Sequence, residues 1–316
     1  MCVLFGLLGL IARGELDFSL EITLFQMQIT SVFQHMNPYF HRNIIMTRAL
    51  LISFLLLSTG AFSQVEWYAA GARSSAMNNT GLGANDVWSV QLNQAGLANM
   101  QGVQGGLYYN NQFGISELGT GGLVLSSKLG KGGIGFDFQS FGYSAFRQSD
   151  AGISYGLALG SQLNVGVRLG YRKIQLGGIY GQSSVITAEG GFQYGLTKDL
   201  LISGHISNPQ RSSIAENGVE KLPSVIRTGV QWSISEALIL NAEVRKDVNY
   251  KAALIAGVEY AVLPELFLML GAGSGPDQFS FGAGYAWNGF RADVAASYHQ
   301  ILGFSPQLSV AFNGQH

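Results

Sequence analysis

The chain carries a single cysteine, Cys2, which excludes a disulfide framework and any cysteine-built metal site. Charge is scarce: 12% of the 316 residues are charged, against about 25% in an ordinary soluble domain, so a water-facing surface of normal polarity is hard to assemble. The 18 basic and 19 acidic residues nearly cancel and form no basic cluster, which argues against nucleic acid as a partner. Prolines number only 6, so the large glycine content, 43 residues, is not that of a linker, and its lack of a three-residue period excludes collagen. Long apolar runs are missing as well. Although 47% of residues are hydrophobic and mean hydropathy is +0.21, no stretch after Gly60 reaches the about 18 to 20 apolar residues of a membrane helix.

One short apolar run has a recognisable grammar. Residues Met46 to Gln64 place a basic residue at Arg48, an apolar core from Ala49 to Leu57, and small residues before a cut between Ser63 and Gln64. That core is too short to anchor in a bilayer and reads as a secretory signal peptide over 46–63. Residues 1–45 show no strand or domain pattern and read as an upstream extension from a misplaced start codon; an export or anchor element at Val3 to Ala12 is the alternative.

From Val103 onward the chain is a series of short alternating segments separated by Gly, Asn, Ser or Asp, the pattern of an all-β barrel or sandwich. Fourteen segments begin near Val103, Leu118, Gly133, Asp150, Leu163, Val185, Leu200, Pro223, Ala237, Tyr250, Leu266, Phe279, Phe290 and Gln307. Successive strand side chains point to opposite faces. Val165, Val167, Leu169 and Tyr171 therefore share one face, and Gly166, Arg168, Gly170 and Arg172 the other. The segments Leu238 to Asp247 and Phe290 to His299 repeat the rule.

A soluble sandwich also alternates. Here the polar faces hold Gly and Ser rather than Lys and Glu, and aromatics such as Tyr194, Tyr285, Trp287 and Tyr298 fall near segment ends, as in the girdles of a membrane barrel. The expected fold is all-β: a closed antiparallel transmembrane barrel of about 14 strands over 103–316, with no unpaired edge in lipid. Residues 64–102 do not alternate, and read as a short helical or irregular plug inside or under it. The longest connections are expected at Ile174 to Ser184 and Asn208 to Leu222, the second an extracellular loop. Phe312 lies close to the terminal aromatic that outer-membrane assembly commonly reads.

The inward-facing charges are Asp137, Arg168, Arg172, Glu189, Arg227, Glu243, Arg245, Asp247, Glu259, Arg291 and Asp293. Such a balanced set implies either an ion-pair network that also holds the plug or a water-filled passage, and the network is the simpler reading. Arg73 and Asp86 on the plug are placed to join it. Gly152 to Gly156 matches G-x-S-x-G, but a nucleophile elbow needs a strand, a tight turn and a helix, and this pattern continues as strand. His205 and His299, with His316 at the C-terminus, have no metal-ligand spacing and no triad partners, so no catalytic residue, cofactor or metal is expected.

The plug segment also carries a signature. G-A-R-S-S-A-M at Gly71 to Met77, G-L-G-A-N-D at Gly81 to Asp86 and N-Q-A-G-L-A at Asn93 to Ala98 resemble the N-terminal signature of the FadL-like outer-membrane barrels, closest to the PorV/PorQ-like branch associated with type IX secretion. The matching residues are Gly71, Arg73, Met77, Gly81, Gly83, Asp86, Asn93, Gly96 and Leu97. The pattern departs where Gln94 stands for the usual proline and where Asn78 and Asn79 stand for a Gly-Gly run. The resemblance implies a noncatalytic, fourteen-stranded barrel in the bacterial outer membrane with this segment in its lumen. It would serve uptake of small hydrophobic molecules or protein secretion, with membrane lipid and either a hydrophobic ligand or a secretion-system protein as partners. A closed, partner-binding barrel is the alternative, and a lipid-modifying outer-membrane enzyme a third reading that lacks its constellation of residues.

Overall fold

The computed structural model describes residues 70–177, 181–213, 221–274 and 277–314. The expected signal peptide and its cleavage point, the extension over 1–45, residues 64–69 and His316 lie outside them.

Fourteen strands follow one another in sequence, each antiparallel to its neighbours, and the last returns to the first to close the barrel. They are β1 (Val103–Asn111), β2 (Gly119–Leu129), β3 (Gly132–Gly142), β4 (Phe146–Leu159), β5 (Leu163–Leu176), β6 (Gln182–Gly195), β7 (Leu200–Ser207), β8 (Val225–Ser235), β9 (Leu238–Asp247), β10 (Ala253–Ala261), β11 (Leu266–Gly273), β12 (Asp277–Trp287), β13 (Phe290–His299) and β14 (Gly303–Asn313). The closing seam runs from Gln104 opposite Asn313 to Asn110 opposite Gln307, so both ends of the barrel chain lie on one side. Among the described residues no helix is long and apolar enough to cross a membrane.

β4 and β14 each begin four residues before the alternation suggests, at Phe146 rather than Asp150 and at Gly303 rather than Gln307. The early residues of β14 include Pro306, which lacks an N–H. It pairs with Ala296 of β13 but lies past the end of the β1 register, where no ladder bond is owed. The connection expected at Ile174 to Ser184 shortens to 177–181, because β5 and β6 extend into it, whereas 208–224 stays long.

The barrel is apolar outside. Ile186 is 68% exposed and Leu169 65%, the reverse of a soluble core, while on the opposite face Asp137 is fully buried and Arg168 is 4% exposed. Tyr285, Trp287, Phe290 and Phe312 stack on one another outside the end that carries the chain termini, and Tyr298 packs on Phe304 at the other. These are two aromatic girdles bounding an apolar belt, the exterior of a membrane-spanning barrel. The connections on the terminal side, 130–131, 160–162, 196–199, 236–237, 262–265 and 288–289, are all tight turns. The longer connections, 112–118 and 208–224, are on the far side.

Inside, the core is the N-terminal segment itself. It folds as α1 (Gly71–Ala76), α2 (Ser89–Leu92) and a 3-10 helix at Gln94–Asn99. Helices this short do not hold in water, and burial is what fixes them. Val87, Trp88, Val90, Leu92, Leu97 and Met100 pack together against Tyr108 and Val124 of the wall, and Ala72, Ala76 and Met77 against Met269 and Ala295.

Candidate functional site

The wall is shaped to admit this segment. The 3-10 helix lies against β3, β4, β5 and β6, and α1 against β11 to β14 and β1. A side chain added at Gly156 or Gly166 would run into the backbone of Gln94 to Ala98, and one at Gly282 into Ala76. The glycine-rich inner face is therefore a fitted surface. The lumen is narrow because the segment fills it.

The signature residues have separate structural tasks. Gly71 has φ +80° and its Cα faces the Trp88 ring with no room for a side chain; Gly96 sits against the carbonyl of Ala84. Gly81 has φ +150°, and Gly83 packs on Gln231 of β8. Asn78 and Asn79 have φ of 57° and 60°, the left-handed region that asparagine tolerates better than most residues, so they occupy a turn for which Gly-Gly is the other solution. Asn93 caps the 3-10 helix by accepting from the Ala95 N–H, and its amide donates to the carbonyls of Leu82 at 2.9 Å and Phe192 of β6 at 3.1 Å. Gln94 stands at the first helical position, where a proline would lose no hydrogen bond. Met77 and Leu97 are buried apolar anchors.

The charges fall into three groups rather than one network. In the first, Arg73 on α1 forks onto Glu259 of β10 at 2.6 and 2.9 Å and reaches Asp86 at 2.7 Å, while Arg291 bridges Glu259 at 3.0 Å and Asp293 at 2.9 Å. Asp86 thus pairs within the plug, and its other oxygen accepts from the Trp88 N–H. In the second, Glu243 accepts from the N–H groups of Gly81 and Leu82 at 2.7 and 2.9 Å, and its other oxygen pairs with Arg227 at 2.6 Å. Arg227 also donates to the Asn79 carbonyl. These two groups join plug to wall.

The third group belongs to the wall alone. Arg168 holds Asp137 at 2.6 and 2.8 Å, Glu189 at 2.7 Å and also Asp150, which Arg172 reaches at 2.8 Å; His205 lies 3.2 Å from Glu189. Asp150, outside the inward set expected from the sequence, joins this group because it shares the inward parity of Gly152 and Ser154 on β4. Asp247 stands apart from all three, at the end of β9, where it accepts from the Asn249 N–H of its own turn. Arg245 is half-buried on the same strand.

Neutral polar side chains that no sequence pattern marks complete the hold on the plug. Ser309 accepts from the Ala72 N–H, Ser280 accepts from Asn78 and donates to the Ala76 carbonyl, and Gln193 donates to the carbonyls of Leu82 and Ala84. Ser154 of the G-x-S-x-G sequence lies inside β4, aimed at the Val90 carbonyl, with none of the turn that a nucleophile elbow requires. His299 accepts from the N–H groups of Ile301 and Leu302 and packs on Phe113, the role of a turn residue.

Fold and site together define a membrane-spanning fourteen-strand barrel plugged by its own N-terminal segment. No protein-family model matches the sequence, and no curated protein matches it either. Among solved structures the chain is similar to the CymD monoaromatic hydrocarbon channel, at 13% identity and a TM-score of 0.59, covering 78% of this chain and 98% of that one. It is similar to the Ralstonia pickettii toluene transporter TbuX, at 13% identity and a TM-score of 0.57 over 76% and 96% of the two chains. A Pseudomonas aeruginosa FadL homologue gives 10% identity and a TM-score of 0.56 over 78% and 98%. The likeness is one of fold alone.

Proposed function

We propose that the protein is a bacterial outer-membrane barrel, exported by a signal peptide cut between Ser63 and Gln64, that passes small hydrophobic molecules, with residues 71–100 as its occluding plug. The observation that carries this reading is the plug's attachment. Two ion-pair groups, Arg73 with Glu259 and Glu243 with the Gly81 and Leu82 amides, tie it to the wall, while tight terminal-side turns and a long far-side loop orient the barrel as outer-membrane proteins are oriented. The Arg73 and Glu243 groups then serve plug retention rather than ion selectivity. The fold shared with hydrocarbon channels supports the same substrate class by analogy.

A second reading is a closed barrel of PorV/PorQ-like kind that binds a secretion-system protein. It is favoured by the plug signature and by the Arg168 group, whose ion pairs lie inside the lumen between wall residues.

The two separate in one experiment. The form from Gln64 to His316 is reconstituted in planar bilayers, and cells expressing it are assayed for uptake of labelled toluene. Conductance or uptake that rises in Arg73→Ala supports the channel. Silence in both proteins refutes it and directs crosslinking to the 208–224 loop.

A further inference from the structure

The outward faces of the barrel carry little charge, and that charge is of one sign. Among the described residues, the charged side chains at outward strand positions are Arg147 of β4, Lys173 of β5 and Lys246 of β9, all cationic and all at far-side strand ends. The chain carries 18 basic and 19 acidic residues, so composition alone does not supply a single sign. Lys246 is already engaged, its Nζ donating to the Tyr250 carbonyl of its own turn. The side chains of Arg147, which is exposed, and Lys173, which is half-buried, have no hydrogen-bond or ion-pair partner among the described residues.

Register brings these two cations together. Lys173 is opposite Ser149 of β4 and Ser184 of β6, and one outward position further along, Arg147 is opposite Gln175, which is opposite Gln182. Arg147 and Lys173 are therefore diagonal neighbours on adjacent strands, about 7–8 Å apart and within reach of long side chains. Like charges this close destabilise a sheet unless an anion lies between them. The patch stands at the level of a lipid headgroup. β4, β5 and β6 have 14 residues each, and residues 182–188 of β6 continue past the end of β7, where Ser207 is opposite Glu189. Nearer the middle of the same strands, Ile153, Leu169, Tyr171 and Ile186 are 51% to 68% exposed, an apolar surface for acyl chains. A phosphate between Arg147 and Lys173 would meet a guanidinium fork and an ammonium point charge, with the Ser149 and Ser184 hydroxyls as further donors. Free phosphate would use the upper part of this surface alone, and a neutral lipid the lower part alone.

We infer that the far ends of β4, β5 and β6 hold the phosphate-bearing headgroup of an anionic lipid of the outer leaflet, with Arg147 and Lys173 as its two cations. The inference rests on the outer-membrane placement and far-side-outward orientation proposed above, and stands whether the barrel conducts or is closed. The purified full-length protein in neutral detergent is titrated with diphosphoryl lipid A and, separately, with zwitterionic phosphatidylcholine, and bound molecules are counted by native mass spectrometry; inorganic phosphate is then added as competitor. The wild type is compared with the double variant Arg147→Gln/Lys173→Gln and with Lys246→Gln, which removes an outward cation from the same rim.

One molecule of diphosphoryl lipid A is expected to bind at least tenfold more tightly than phosphatidylcholine. The double variant is expected to lose at least tenfold of that affinity, and Lys246→Gln to keep it. Retained heat-modifiable migration on gels shows that the variants remain closed barrels. Equal binding of the two lipids, an unchanged affinity in the double variant, or no retained lipid, as when the patch is merely solvated, overturns the inference. So does an equal loss in Lys246→Gln, which would mean attraction by net charge only, or displacement by inorganic phosphate at the concentration at which the lipid itself binds, which would mean an ion site only.

Discussion

Replacing Arg73 by alanine tests how the plug is held. Its guanidinium makes two bonds to Glu259 and one to Asp86, with 22% of the side chain exposed. Truncating one partner of a fully buried, hydrogen-bonded ion pair costs about 3–5 kcal/mol. Partial exposure lets water solvate what is left, and Glu259 keeps Arg291 at 3.0 Å, so the expected loss is about 2–3 kcal/mol. Most of that loss comes from the attachment of plug to wall, since two of the three bonds go to Glu259 of the wall and one to Asp86 within the plug. The population in which the segment has let go rises by roughly 30- to 150-fold. Hydrogen exchange on the barrel in nanodiscs reads this directly, because local opening controls exchange of the buried amides. Amides over 71–99 should exchange faster by that factor while those of β1 to β14 hold their protection. Unchanged exchange over 71–99 refutes the clamp; equal loss across the strands shows that Arg73 supports the whole barrel instead.

Glu243→Gln keeps the shape but has one carbonyl oxygen where the carboxylate offers one to Arg227 and one to the Gly81 and Leu82 N–H groups, turns an NH2 donor toward the other set, and should cost about 3 kcal/mol, read as a lower unfolding midpoint in denaturant. Gly166→Val drives a side chain into the Gln94–Ala95 backbone; the barrel should still close and migrate as a folded band while exchange over 93–99 rises sharply, and unaltered exchange would mean that the plug does not press on β5. Arg168→Met leaves the buried Asp137 carboxylate unpaired and takes one partner from Asp150 and Glu189, which keep Arg172 and His205 beside them; it should cost about 3–5 kcal/mol of barrel stability without speeding exchange over 71–83, because its ion pairs are made within the wall.

The sequence by itself determined the number of strands, the face each residue takes and the existence of a separate N-terminal segment. All three follow from period-two alternation and its interruption, which are local properties of the chain. Strand ends at Phe146 and Gly303 escaped it, because lumen polarity and Pro306 blur the pattern where the wall meets water. Only the tertiary structure decided which charges meet. Arg73 and Glu259 are 186 positions apart, and Glu243 and Gly81 162 apart, so no spacing rule relates them. Closure brings them together. It also turned one expected charge network into three groups, brought Asp150 to Arg168 and Arg172, and recruited Gln193, Ser280 and Ser309, polar residues like many others in the sequence until the plug backbone lies against them. Glycine shows the same division: its abundance is read from composition, but that Gly156 and Gly166 must be glycine follows only from the backbone packed against their Cα atoms. Alternation is written along the chain, whereas a partner across the lumen exists only once the barrel has closed around the segment that fills it.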